Sequence, residues 1–300
     1  MKKSTRRILL ILVVLALLYG TMRLYFNATD DFRLSNITYN MPYQKEWEVA
    51  HLDSKQEQQL PTILSQQFAY LGKGAQSYAF ASDDGKFVIK FFKFKHLRPS
   101  LFHDLLPTVG FIKDFKEKQV ARKKRKLYGV FQGYKTAYEM HKKESGLLFV
   151  QLNITGNPSR TVTVRDKIGL KRTIDLSNIP FILQERGVTL RVVLKELLDK
   201  GDIASAEDRI GSIFDLYASE YKKGIYDHDH GVMYNTGFVG LHPIHLDVGK
   251  LVKEESMRNS EIAKGDLLLV AAKMKIWTLN LYPQYFQHLS NYIDNKIEQM

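Results

Sequence analysis

Apolar positions fall into two different rhythms along this 300-residue chain. At the start, Ile8 to Met22 (ILLILVVLALLYGTM) runs without a charge between Lys2, Lys3, Arg6 and Arg7 on one side and Arg23 on the other. These 15 residues fall short of the roughly 20 that a helical membrane span needs. Leu24-Tyr25-Phe26 extends the run if Arg23 snorkels toward the headgroups. Ala16-Leu17-Leu18-Tyr19-Gly20 makes a poor cleavage pattern, so residues 1–25 are expected to be an uncleaved anchor or signal anchor. Residues 26–60 hold Asn27, Asp30, Asp31, Asn36, Asn40, Pro42 and a Gln-rich QEQQ run, and predict a polar stalk with weak local structure.

From about residue 61 the pattern becomes globular. Phe68–Leu71, Ser77–Ala81 and Phe87–Phe92 predict three strands, with Asp83-Asp84-Gly85 as the turn between the last two. Residues 111–143 are charged and helix-favouring, and Gly129 or Gly133 is the expected break between two helices. Leu147–Leu152, Arg160–Val164 and Ile179–Gln184 read as further strands, with a loop signal at Gly156-Asn157-Pro158 and a helix over Thr189–Lys200. The plainest helix lies between a cap at Ser205 or Asp208 and a stop at Gly224, with Ile210, Ile213, Phe214, Tyr217 and Tyr221 on one face. Two closing helices are expected over Glu261–Leu279 and Gln284–Ile297. No internal repeat is visible.

Composition adds constraints. The apolar fraction of 44% and charged fraction of 25% are ordinary for a globular protein. Cysteine is absent, which excludes disulfide frameworks and thiolate metal sites. A net charge of +12 favours anionic partners. The basic run Lys116–Lys126 (KEKQVARKKRK) suits a solvated face or an anionic lipid surface. It lacks the interleaved aromatics that stack on bases, which disfavours nucleic acid. The basic flank before the apolar run places the N-terminus in the cytoplasm and the body outside it, where ATP is scarce.

Three places carry candidate chemistry. Gly72-Lys73-Gly74-Ala75-Gln76-Ser77 joins two strands, and glycines there let backbone amides approach phosphates; a plain hairpin turn is the alternative. Lys90, flanked by Val88, Ile89 and Phe91, needs an anionic partner if it faces inward, because an unpaired buried ammonium is costly. Lys93 and Lys95 are expected to face water. For the partner of Lys90, Glu139 is the first candidate and Glu144 the second. The third place is Ile225–Gly249 (IYDHDHGVMYNTGFVGLHPIHLDVG), which sets Asp229, Asn235 and Asp247 in order around a short hairpin. Asp227 to His230, with His242 and His245, can also be read as a transition-metal cluster, though the spacing matches no familiar zinc pattern.

In this order of motifs, residues 65–250 resemble the protein-kinase-like superfamily. The resemblance implies an α+β, two-lobed protein-kinase-like fold: an antiparallel sheet lobe over about 61–184 and a small helical lobe over about 187–300. It makes Gly72, Gly74 and Ser77 the glycine-rich loop, Lys90 the phosphate-pairing lysine with Glu139, and Gln184 and Glu185 the linker that meets adenine. Asp229 would be the catalytic aspartate, and Asn235 and Asp247 the magnesium ligands. ATP and magnesium are the implied cofactors. Asn235 follows Asp229 by six residues where the family has five, and Asp227-His228-Asp229 replaces His-Arg-Asp. No Ala-Pro-Glu segment is found among the 53 residues after Asp247, which admits a small-molecule, sugar or lipid hydroxyl as acceptor alongside protein. The alternative is a pseudokinase, a nucleotide-binding or scaffold module at the membrane.

Overall fold

Alternation builds the larger sheet. In a computed structural model that describes residues 3–50, 54–97, 110–154 and 160–300, β1 (Gln67–Lys73), β2 (Ser77–Ser82) and β3 (Phe87–Phe92) form an antiparallel meander. Their inward positions, Phe68, Tyr78, Phe80, Ile89 and Phe91, are fully buried in one core. β4 (Leu147–Gln151), β5 (Thr161–Arg165), β6 (Lys171–Asp175) and β7 (Phe181–Glu185) complete seven strands in the order β4-β7-β3-β2-β1-β5-β6. Among the described residues only β1 and β5 pair in parallel. The expected strands are present, and β6 adds a hairpin with β5 that its charged sequence, KRTID, conceals. The loop signal at residues 156–158 lies outside the described residues.

Helix α1 (Lys3–Ala28) carries the apolar run, and Thr5–Ala28 is long and apolar enough to cross a membrane, with none of that window buried; a signal sequence has the same features. The polar stalk expected over 26–60 is replaced by segments that pack onto the sheet. Phe32 is buried edge-on against Tyr78 and Phe80, and Ile37 joins the same core. Trp47 packs on Phe131, and Leu60, Ile63 and Leu64 are buried in the core that holds Phe68 and Phe80. The short α2 (Leu34–Ile37) and the longer α3 (Ser54–Leu64) are therefore parts of the sheet lobe. Burying a Phe stabilises by roughly 1.5–3 kcal/mol, which outweighs the polar residues between these anchors.

The charged segment forms one helix, α4 (Gly110–Met140), which runs through both glycines. Gly133 has a different task from breaking it. A Cβ there would lie 2.4 Å from the Val248 carbonyl oxygen and 2.8 Å from the Gly249 carbonyl carbon, so glycine lets the helix touch the chain just after Asp247. Gly129 is exposed and meets nothing within 4 Å. The described side chains of the basic run, Lys118 and Arg122–Lys126 among them, are exposed or half-buried. A short α5 (Lys142–Ser145) turns the chain into β4.

The second lobe is helical. After β8 (Val188–Thr189) come α6 (Leu190–Asp199) and α7 (Ile203–Lys222), then β9 (Ile225–Asp227), α8 (Val232–Asn235), the hairpin β10 (Thr236–Val239) and β11 (His242–His245), β12 (Leu251–Lys253), and the closing α9 (Ser260–Leu281) and α10 (Pro283–Glu298). The apolar stripe of α7 packs with Leu194, Leu267, Met274 and Leu289 into one core. The cap of α7 is Asp202, which accepts from the Ser205 N–H at 3.1 Å, three residues ahead of the expected start; Gly224 stops it at φ +67°. The chain is thus α+β and two-lobed, with a mainly antiparallel sheet lobe and a helical lobe.

The two glycines make a controlled pair. Gly133→Ala is expected to destabilise by about 1–3 kcal/mol through overpacking, and Gly129→Ala to be neutral or to stabilise by up to about 1 kcal/mol. Urea unfolding midpoints of the two variants against the parent chain check both.

Candidate functional site

Leu246 lies at the junction of the lobes. Its carbonyl accepts from Lys90 Nζ of β3 at 2.5 Å, and its N–H donates to the Asn235 carbonyl at 2.7 Å. Lys90 from the sheet lobe, Asn235 from the end of α8 and Asp247 from the segment after β11 are thereby brought together. The ammonium thus meets the second half of the chain through the backbone one residue before Asp247. Burial lowers the Lys90 pKa, and the Asp247 charge opposes that shift.

Neither expected partner carboxylate reaches Lys90. Glu139 is exposed and lies 3.7 Å from Lys135 one turn back, while Glu144 pairs with Lys223 at 2.7 Å. The reason is helical phase: the face of α4 that meets the site is defined by Gly133, which touches the backbone at 248–249, and by Tyr134 beside it. Glu139 lies on another face. Tyr134 donates its hydroxyl to Asp247 Oδ1 at 3.3 Å, so what α4 presents at the site is a neutral donor and not a carboxylate. Burial, then the charge and hydrogen bond of Asp247, hold the Tyr134 pKa well above its ordinary value, which keeps that proton in place.

Asp247 is exposed, and its Oδ1 also accepts the Gly249 N–H at 3.1 Å. Both of these bonds fall on Oδ1. Asp229 stands on the loop between β9 and α8. Its Oδ1 accepts the Gly231 N–H at 3.2 Å, and its Oδ2 pairs with Lys250 at 2.9 Å. Burial raises the Asp229 pKa, but Lys250, the Gly231 N–H and the Asn235 side chain outweigh it and the carboxyl sits below its ordinary value. Asn235 is half-buried beside Asp229: a Cβ on Gly231 would meet Asn235 Nδ2 at 2.8 Å and Asp229 Oδ1 at 3.2 Å. The side chains of Asp247, Asn235 and Asp229 each offer hard oxygen, the donor type that magnesium prefers.

The glycine loop is the β1–β2 hairpin, closed by Gly74 N–H to the Ser77 carbonyl at 2.9 Å. Neither Gly72 nor Gly74 has a positive φ, and a Cβ on either would meet nothing closer than Ser77 Oγ at 3.9 Å. The fold itself therefore does not demand glycine at these two positions. Lys93, expected to face water, is instead buried and donates to the Gly74 carbonyl, with its ammonium 4.5 Å from the Tyr78 ring centroid. Lys95 pairs with Asp31 at 3.0 Å, an interaction that exists only because residues 26–60 fold onto the sheet.

The linker residues split. Gln184 is buried, and its side chain donates to the carbonyls of Ser145 (2.6 Å) and His245 (3.1 Å), tying the lobes together. The Glu185 N–H is taken by Gly146 and the Arg186 N–H by Lys86, both at 2.8 Å. At Gly187 a Cβ would lie 2.8 Å from Leu246, so the linker passes directly over the junction residue.

No family model matches the chain, and neither does any curated protein sequence. Solved structures do. A high-resolution crystal structure of WbdD is 15% identical, with a TM-score of 0.35, and the match covers 75% of this chain and 44% of that one. A structure titled as the bifunctional kinase-methyltransferase WbdD is 15% identical over 76% of this chain and 46% of that one, at a TM-score of 0.37. A co-crystal of WbdD with a kinase inhibitor gives 15%, 75%, 44% and 0.33 for the same quantities. This chain thus spans less than half the length of those it matches, and a likeness of this degree transfers no residue role.

Three site residues escaped the sequence reading: Tyr134, Lys250 and Leu246. A glycine inside a long helix, next to a tyrosine, is the signal that points to Tyr134. Lys250 directly follows Gly249 and carried no pattern of its own.

The Lys93 anchor is testable through pH. Burial, then the charges of Lys95 and Lys73, lower its pKa from 10.5 to about 8. Between those values the unfolded chain holds a proton that the folded chain has released, so this lysine makes stability rise with pH across that interval and adds no slope below it. The slope is at most about 1.4 kcal/mol per pH unit. Unfolding midpoints of Lys93→Met between pH 8 and 10 should lack the rise that the parent chain shows.

Proposed function

We propose that this chain is an atypical, membrane-anchored phosphotransferase that binds ATP with magnesium and transfers the γ-phosphoryl group to a hydroxyl acceptor. The observation that carries the reading is the junction at Leu246, where the ammonium of Lys90, the backbone of Asn235 and the start of the Asp247 segment meet. Phosphoryl transfer needs little covalent help from the protein; it needs positioning and neutralisation of charge.

In this reading Lys90 exchanges its carbonyl partner for a phosphate oxygen, and the amides of the Gly72–Ser77 hairpin cover the phosphates. Asp247 and Asn235 would hold magnesium, which neutralises phosphate charge when bound. Tyr134 orients Asp247 by holding Oδ1. Asp229 accepts the acceptor hydroxyl's proton as that oxygen bonds to the γ-phosphorus and the β–γ bridging P–O bond breaks, releasing ADP. The Lys250 ammonium, 2.9 Å from Asp229, keeps that carboxylate ionised and offsets charge beside the transferring group. The apolar α1 tethers the body to the bilayer, and the exposed basic part of α4 faces anionic lipid.

A second reading, a nucleotide-binding module without transfer, is favoured by two observations: among the described residues no carboxylate pairs with Lys90, and Asp229 already has a cation on it. Full-length chain in detergent separates the two. Magnesium-dependent binding of a fluorescent ATP analogue should be lost in Asp247→Ala and weakened about ten- to hundredfold in Lys90→Ala. Asp229→Asn should keep that binding and lose magnesium-dependent ATP turnover. Turnover equal in Asp229→Asn and parent would remove the catalytic role of Asp229, and binding unaffected in both other variants would remove the site.

A further inference from the structure

A second cluster, which phosphoryl transfer does not use, lies where the end of α4 meets α7 and β11. His141 follows the end of α4, Glu220 lies in the last turn of α7, and His245 closes β11 two residues before Asp247. All three have no exposed surface. One ligand-type atom from each lies within 4.8 Å of those from the other two.

Their hydrogen bonding is incomplete in one direction. His141 Nε2, Glu220 Oε2 and both ring nitrogens of His245 have no hydrogen-bond partner. His245 Nε2 and Glu220 Oε2 are 3.0 Å apart, an ion pair when the imidazole is protonated, though their alignment falls short of a hydrogen bond. Buried polar atoms are nearly always paired, and one such atom from each of the three side chains can share a single ion, while the second His245 nitrogen points away from it. The remaining atoms are held from outside. Glu220 Oε1 accepts the Asp227 N–H at 2.6 Å, which turns Oε2 inward. His141 Nδ1 faces Lys223 Nζ at 3.1 Å and Glu144 Oε2 at 3.7 Å. Such outer contacts are what orient metal-binding side chains.

We propose that His141, Glu220 and His245 form a buried site for one divalent transition-metal ion of the zinc class. Two imidazoles and a carboxylate are borderline donors that suit zinc, and unlike the Asp247 set they do not favour magnesium. In a filled tetrahedral site ligand atoms sit roughly 3.4 Å apart, so the trio draws in by about an ångström on binding, with water as the fourth ligand. Metal on His141 Nε2 requires that ring's proton on Nδ1, toward Glu144, so the Lys223 ammonium, now 3.1 Å from Nδ1, has to swing off it onto Glu144 when the ion binds. Among the described residues the cation beside the site is Lys223, and its 2.7 Å bond to Glu144 Oε1 neutralises it. The ion would pin the end of α4 to α7 and β11, and through Glu220 and Asp227 it would hold the segments that carry Asp229 and Asp247. This is not the loop cluster of Asp227–His230, His242 and His245 that the sequence offered: of that set only His245 takes part.

The test is metal content of the full chain, purified in detergent without a polyhistidine tag, reconstituted with zinc and dialysed. About one zinc per chain is expected, and cobalt in its place should give the visible absorption of a tetrahedral ion. His141→Gln and Glu220→Gln should each lower retained zinc at least about tenfold, while Asp247→Ala leaves it unchanged. Circular dichroism identifies folded samples, and the parent chain alone decides if both variants unfold. Folded parent chain that retains less than about a tenth of an equivalent, after a reconstitution that fills sites of this class, overturns the proposal. So does zinc retained equally by His141→Gln and Glu220→Gln, or lost in Asp247→Ala instead.

Discussion

A buried ammonium has few places to go, and in this chain that constraint organises the junction of the lobes. Lys90 sits half-buried on a strand between Ile89 and Phe91, which are fully buried, and needs a strong acceptor. It finds the Leu246 carbonyl, whose own N–H is held by Asn235. One peptide segment therefore fixes the sheet lobe to the loop that carries Asp229 and Asn235, and leads into Asp247 one residue later. Gly187 and Gly237 lie against the Leu246 side chain, where any Cβ would come within 3.0 Å of it, so the backbone on both sides is shaped to this residue.

The long helix α4 contributes differently from expectation. Rather than presenting a carboxylate to Lys90, it comes close enough at Gly133 to touch the backbone after Asp247, and it offers the Tyr134 hydroxyl. A tyrosine cannot neutralise the lysine, so the Lys90 charge is left for an incoming anion or for Asp247. That is a reasonable arrangement for a phosphate site, since a lysine already satisfied by a carboxylate would compete less well for phosphate oxygens. Just past the end of the same helix, His141 enters the buried trio with Glu220 and His245, so the α4 segment reaches both candidate sites.

Much of this was legible in the sequence, for physical reasons that can be named. Strands such as SYAFA and FVIKFF announce themselves because one face is buried and the period is two. The helix ending at Gly224 shows a clean stripe and a stop glycine. Asp229, Asn235 and Asp247 are recognisable because they share one short stretch. What failed depends on contacts distant in sequence. Phe32, Ile37 and Trp47 look isolated among polar residues, and only the folded sheet shows that each anchors its segment. Glu139 looked suitable by distance along the chain, whereas the phase of a 31-residue helix decides which side chains face inward. Gly133 suggested a break because a glycine lowers helix propensity, but its value here lies in close approach. Glu220 could have been noticed: it sits three residues after Tyr217 on the apolar face of α7, where a carboxylate is out of place.

At issue is whether Lys90 and the Asp247 segment address one triphosphate. A crystal structure of the full chain with magnesium and a non-hydrolysable ATP analogue is the sharpest test. The expected result is a metal held by Asp247 and Asn235, with Lys90 Nζ moved from the Leu246 carbonyl onto a phosphate oxygen. A nucleotide bound elsewhere, or bound here with Lys90 still on that carbonyl and no metal at Asp247, would refute a shared triphosphate site.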